Sequence, residues 1–233
     1  MVSLICAAAF FVLLHLLVSG TRVRNALTGA IGQGPYMGVF SLASVAGLAW
    51  LGFAFAAART ASWNLAYWQA TPVTRTIQLA LMLLALLLVV PGLTTPNPTS
   101  VRQEGALSRP DVVKGMLRIT RHPFLWGVAV WAAGHLMVNG DAASLVLFGA
   151  LLVLSVFGTV SIDAKRKRAL GATWDAFAAK TSNIPFAAIA GGRQSLAVGE
   201  IAEIGWWRIA LAITLWAGMI FLHPIVFGAR ALP

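Results

Sequence analysis

The chain has 233 residues, 59% of them hydrophobic and only 10% charged, with a mean hydropathy of +0.82. A soluble domain is about a quarter charged, so these values exclude a soluble globular protein and indicate an integral membrane protein. The formal charge of +10 fits positive-inside topology and contact with anionic membrane lipids; no groove-reading motif accompanies it, so nucleic acid is not an expected partner.

Windows of about 19 residues predict membrane spans near 2–19, 35–57, 76–93, 123–139, 142–162 and 206–227. The first span carries Cys6, the single cysteine, which leaves no internal disulfide or Cys-based zinc site. Its basic residues Arg22 and Arg24 follow the apolar run, the order of an uncleaved first span with the N-terminus outside. Gly32, Gly34 and Pro35 bound the second span, and Pro91-Gly92 stops the third. A breaker-rich TTPNPTS stretch opens the basic loop to Arg121. Asn139-Gly140-Asp141 turns the fourth span into the fifth as a tight helical hairpin.

Residues 163–182 read either as a polar extension of the fifth helix or as a helix lying at the head groups, with Trp174 and Phe177 on it. Ile184–Ile189 is apolar but too short to span, and is expected to dip into the interface. This orientation leaves Arg59, Arg75 and Arg230 outside and the rest of the 17 Lys and Arg inside. The expected fold is all-α: one domain over residues 1–233, a bundle of about six transmembrane helices.

All four histidines, His15, His122, His135 and His223, lie in or at the edge of these spans. Imidazole inside a bilayer is costly unless it pairs, binds a metal or moves protons. His15, Ser19 and Arg22 in HLLVSGTR have offsets of one and two α-helical turns, which predicts a shared face; the plain alternative is a helix end with an ordinary positive-inside arginine. In TRHPFLWG, Pro123 suits a first helical turn, and His122 stands with Arg118 and Arg121 at a basic mouth suited to phosphates or carboxylates. His135, in WAAGHLMVNGD, could ligate iron while its other nitrogen bonds a carbonyl or Asn139, or could simply bond across the bundle. His223-Pro224 reads as an outer-interface kink. No carboxylate lies well inside a span, which argues against carboxylate acid–base catalysis.

HLLVSGTRVRNAL, GQGPYMGVFSLASVAGL and RHPFLWGVAVWAAGHLMVNGD together resemble the NnrU family of bacterial membrane proteins over nearly the whole chain. That resemblance implies a multi-pass protein of the bacterial inner membrane, associated with nitrite and nitric oxide reduction. The family is similar to the plant 15-cis-zeta-carotene isomerases, which implies haem b, isomerisation of a hydrophobic conjugated lipid, and His15 and His135 as haem-ligand candidates. His122 matches the isomerases' RHP histidine, and Ala132 stands where they have a cysteine. The inner arginines, Arg22 and Arg121 among them, are candidates to pair with haem propionates, beside Ser19.

RHPFLWG with SIDAKRKRALGATWDAFAAKTSNIPF also looks like membrane methyltransferases of isoprenylcysteine or phospholipid amines. This implies S-adenosylmethionine as the alternative cofactor, although only Asp163 stands where an acidic pair is expected. A non-enzymatic accessory role in denitrification is the third reading. Regular helices would put His15 at the depth of His122, and would set His135 roughly 20 Å deeper than His122, towards His223. That depth order differs from the pairing the resemblance implies.

Overall fold

The apolar runs of the sequence form the long helices of the computed structural model, which describes residues 1–233. The first run is α1 (Val2–Leu13) followed by a π-helical segment (Leu14–Ser19), and α2 (Val23–Ile31) follows a turn. Next come α3 (Gln33–Arg59) and α4 (Pro72–Thr94). The loop after α4 holds a 3₁₀ turn (Glu104–Ser108) and the short α5 (Met116–Ile119). Then α6 (Pro123–Val138) and α7 (Ala142–Leu170) form the hairpin, with α8 (Ala172–Lys180), α9 (Ala187–Ala190) and α10 (Val198–Ala202) leading to α11 (Trp206–Phe227). Five helical stretches are long and apolar enough to cross a membrane, which makes this a multi-pass membrane protein; α6, at 16 residues, is the short one among six.

Local chemistry sets these boundaries. Thr71 caps α4 by accepting from the Thr74 amide at 3.1 Å while Thr74 Oγ1 accepts from the Thr71 amide at 2.8 Å, and Pro72 fills the first turn where no N–H is needed. Asp141 caps α7 through Ser144 N at 3.1 Å. Gly140, in the hairpin turn, lies so close to the Trp68 indole that a Cβ would come within 2.5 Å of it.

Helix α6 is packed between α4 and α7; α11 lies on the other side of α4, while α1 and α3 pack together against α7. Small residues make the close contacts: Ala7, Ala8, Ala58 and Ala143 are buried with Leu4 and Leu51 where α1, α3 and α7 meet. At the Lys/Arg-rich end, Gly171 (φ 51°, ψ −127°) breaks the chain between α7 and α8 in a conformation that a side chain would strain. The polar run from 163 is therefore two helices. Trp174 and Phe177 are 2% and 4% exposed and pack on Leu117, because the break turns α8 back onto the loop before α6. They face protein, which corrects the head-group alternative for these two rings. Ile184 and Phe186 remain exposed in the turn before α9.

Candidate functional site

His15 sits inside the π segment, whose backbone is wider than an α-helix by one residue per turn. The α-helical spacing that put His15, Ser19 and Arg22 on one face therefore does not hold: Ser19 ends the π segment and Arg22 is the exposed residue before α2. His15 Nδ1 is 2.8 Å from the Phe11 carbonyl, which can only accept, so Nδ1 carries the proton and Nε2 keeps a free lone pair. The ring packs on Phe11 and Phe40, with centroids 4.5 and 5.3 Å away.

His135 repeats the arrangement on α6. Its Nδ1 donates to the Trp131 carbonyl at 2.9 Å, Nε2 makes no hydrogen bond, and the ring stacks on Phe148 at 4.7 Å beside Trp131 at 4.6 Å. Asn139 donates to the His135 carbonyl at 2.9 Å rather than to the ring. His223 Nδ1 donates to the Ala229 carbonyl at 2.7 Å near the end of α11.

Gly20 lies against Ser161 of α7, and His135 against Phe148 of the same helix. Along α7 these two contacts lie 13 residues apart, which leaves a gap in depth between His15 and His135. Both rings lean into that gap, since each bonds the carbonyl four residues earlier on helices that run in opposite directions. In donor chemistry the pair fits haem b: a neutral imidazole fixed through one nitrogen, with the other free for iron. Each imidazole packs among its own aromatic neighbours, Phe11 and Phe40 for His15 and Trp131 and Phe148 for His135.

The RHP motif, by contrast, is brought together with a distant acid. Arg121 holds Asp163 of α7 through Nε at 2.9 and 3.1 Å and through Nη2 at 2.5 Å. His122 Nε2 donates to Asp163 at 2.7 Å, and Asn183 Nδ2 donates at 2.9 Å. Asn97 and Thr99 donate to the Arg121 carbonyl at 3.0 and 2.9 Å, while Thr120 and Trp126 donate to the Asn183 carbonyl at 2.6 and 2.8 Å. Arg121 also lies over the Trp174 ring at 5.8 Å. His122 is 2% exposed and its Nδ1, the acceptor once Nε2 holds the proton, has no partner. Burial pushes the His122 imidazole below its usual range, against the opposing pull of Asp163.

The breaker-rich linker and SNIPF thus supply partners that sequence spacing does not reveal: Asn97, Thr99 and Asn183 are far in sequence from the groups they meet. A second cluster at the same end joins Arg118 to Glu203, with Nε and Nη2 donating at 2.9 and 3.0 Å, and Gly115 N donates to the same carboxylate at 2.8 Å. Arg118 and Arg121 of the expected basic mouth are thus each taken by an acid of the chain itself.

The family model described as NnrU protein matches residues 3–231. Among curated proteins, the chain is similar to 15-cis-zeta-carotene isomerase, chloroplastic, of Arabidopsis thaliana: 29% identity over 137 residues, which is 58% of this chain and 37% of that protein. The protein of the same name from Zea mays is 29% identical over 136 residues, 56% of this chain and 37% of that one. The matched region is thus little more than a third of either relative. No solved structure matches the chain.

Proposed function

Because this chain belongs to the NnrU family, we propose that it is an isomerase-like redox protein of the membrane that holds haem b through His15 and His135. The observation that carries the reading is the shared state of these two imidazoles: Nδ1 tied to the helix, Nε2 free, the ring packed among aromatic side chains. The similarity to proteins called 15-cis-zeta-carotene isomerase supports a hydrophobic conjugated chain as the substrate class, reached from the lipid. A bacterial inner membrane is part of the same proposal.

Haem b supplies, when bound, a one-electron redox centre. The protein's share is done by its own groups. The carbonyls of Phe11 and Trp131 fix the tautomer of each histidine and raise the basicity of its free nitrogen. Phe11, Phe40, Trp131 and Phe148 pack aromatic surface against the two rings. Arg22 is exposed at the Lys/Arg-rich end, where it can pair with an anionic substituent.

The test is the absorption spectrum of the full-length protein purified after expression with haem supply. A Soret band that moves on reduction is expected. His15→Ala and His135→Ala should each remove or shift it, and His223→Ala should leave it unchanged. A colourless protein that takes up no haem on titration overturns the reading.

A second reading, a methyltransferase using S-adenosylmethionine, draws on the meeting of His122, Asp163 and Trp174 and on the unpartnered, buried His122 Nδ1. Calorimetry with S-adenosylmethionine separates the two; no binding heat sinks the second.

A further inference from the structure

Ser161, Lys165 and Arg168 fall at i, i+4 and i+7 on α7 and share one face. The outer two of these mark what that face looks at: Gly20 packs on Ser161, and Arg168 Nη2 donates to the Gly20 carbonyl at 3.2 Å. Lys165 therefore points at the junction between the π segment and α2, and Arg24, Arg166 and Arg168 are the cations around it. It is only partly exposed and makes no hydrogen bond or ion pair. Arg24 bonds the neutral Gln33 side chain at 3.3 Å and lies over Tyr36 at 5.7 Å. Arg168 has only the Gly20 carbonyl.

No carboxylate of the chain pairs with them directly. Of the seven acids, Glu104 is the one whose charge reaches Lys165, and it is held by the buried Arg166. Asp111 pairs with Lys114, Asp163 with Arg121 and His122, Asp175 with Lys167, and Glu200 and Glu203 with Arg118. Asp141 caps α7. Lys165, Arg24 and Arg168 thus form no ion pair within the chain and are left open to an outside anion.

The neighbouring helix says where that anion comes from. α2 has no buried residue, and Val23, Leu27 and Ile31 form an exposed apolar stripe at i, i+4 and i+8. A short helix with one apolar stripe beside basic residues lies in the membrane interface, at the level of the phosphates.

We propose that Lys165, Arg24 and Arg168 form a binding site for the phosphate of an anionic phospholipid whose acyl chains lie along the apolar face of α2. The guanidinium of Arg24 offers paired donors to two phosphate oxygens, and Lys165 adds a compact charge behind them. The site is independent of haem occupancy.

Delipidated full-length protein in neutral detergent, without haem, is titrated with phosphatidylglycerol, phosphatidylcholine or inorganic phosphate while thermal unfolding is followed. Saturable stabilisation by phosphatidylglycerol alone is expected. The Lys165→Gln/Arg24→Gln double variant should weaken the midpoint about thirtyfold, since each interfacial cation contributes a factor of about five. Lys165→Arg should stay close to wild type, and so should Lys180→Gln, which removes an exposed cation elsewhere. If the double variant does not fold, Arg168→Gln, at the exposed end of the site, must weaken the midpoint by itself. Equal stabilisation by phosphatidylcholine, or equal loss in Lys180→Gln, overturns the site. Equal stabilisation by inorganic phosphate makes the free ion the ligand and overturns the lipid.

Discussion

Asp163 is the meeting point of the consecutive Arg121 and His122 and of Asn183, two stretches of chain far from it in sequence, and its side chain is only 18% exposed. Removing one member of a largely buried ion pair leaves the other charged and unpaired, which costs about 3 kcal/mol or more. Asp163→Asn keeps the shape and loses the charge; chemical unfolding in detergent should show a destabilisation of that order, with Arg121→Gln in the Asp163→Asn background adding little. Additive losses in the double variant would mean that the two side chains do not depend on one another.

His122 adds a pH dependence. Its folded-state value lies below the ordinary one because burial disfavours the cation, so the unfolded chain binds a proton first as pH falls. The contribution of the neutral ring is present above the ordinary histidine range and is lost as the pH drops through it. The melting temperature should fall over that window, and His122→Gln should flatten the curve; an unchanged slope would refute the assignment to this residue.

At the scale of elements, the contact between α4 and α6 depends on glycine. A Cβ on Gly127 would meet Val89 Cγ2 at 2.6 Å, the Ala85 carbonyl at 2.8 Å and the Val89 amide at 3.0 Å, and the last two are backbone that cannot swing aside. Gly149, on α7, has open space at the same position. Gly127→Ala should lose about 1–3 kcal/mol, whereas Gly149→Ala should leave the melting temperature unchanged or raised; matched effects from the two would show that close packing is not what Gly127 provides. Gly92 and Gly134 make equally close approaches between α4 and the 16-residue α6, at Phe124 and Gln78.

For the whole molecule, what could be read in advance follows the range of the forces involved. Long apolar runs ended by Pro, Gly or a capping Thr or Asp are local, and a helix occupies each of the six windows, five of them within a few residues and the fifth running on to Leu170. The π segment left no trace because an i→i+5 pattern changes hydrogen bonds without changing composition. The Asp163 cluster was half visible: Arg121, His122 and Asp163 stood out in the sequence, while Asn97, Thr99 and Asn183 acquire meaning only when the loops after α4 and α8 fold against each other. Trp174 and Phe177 looked like interface residues because a polar helix carrying two aromatic rings can bury them in lipid or in protein, and only the Gly171 break decides between them.

Helix α11 packs chiefly on α4, and a single residue of it, Ala212, is buried. Its polar ties are Trp216 Nε1 to the Leu79 carbonyl at 2.9 Å, Arg208 to Thr94 Oγ1 and its carbonyl at 3.0 and 3.1 Å, and Arg59 of α3 to the Phe227 carbonyl at 3.5 Å. The exposed Gly191-Gly192 turn lies upstream of it. Membrane helices insert as independent units before they associate, so the molecule is severable there. Fragments 1–191 and 192–233, made together as separate chains, should co-purify as a complex, and the larger one made alone should keep the absorption spectrum of the whole. His15, His122 and His135 then belong to a core of five long helices, and the sixth, with His223, is a detachable flank.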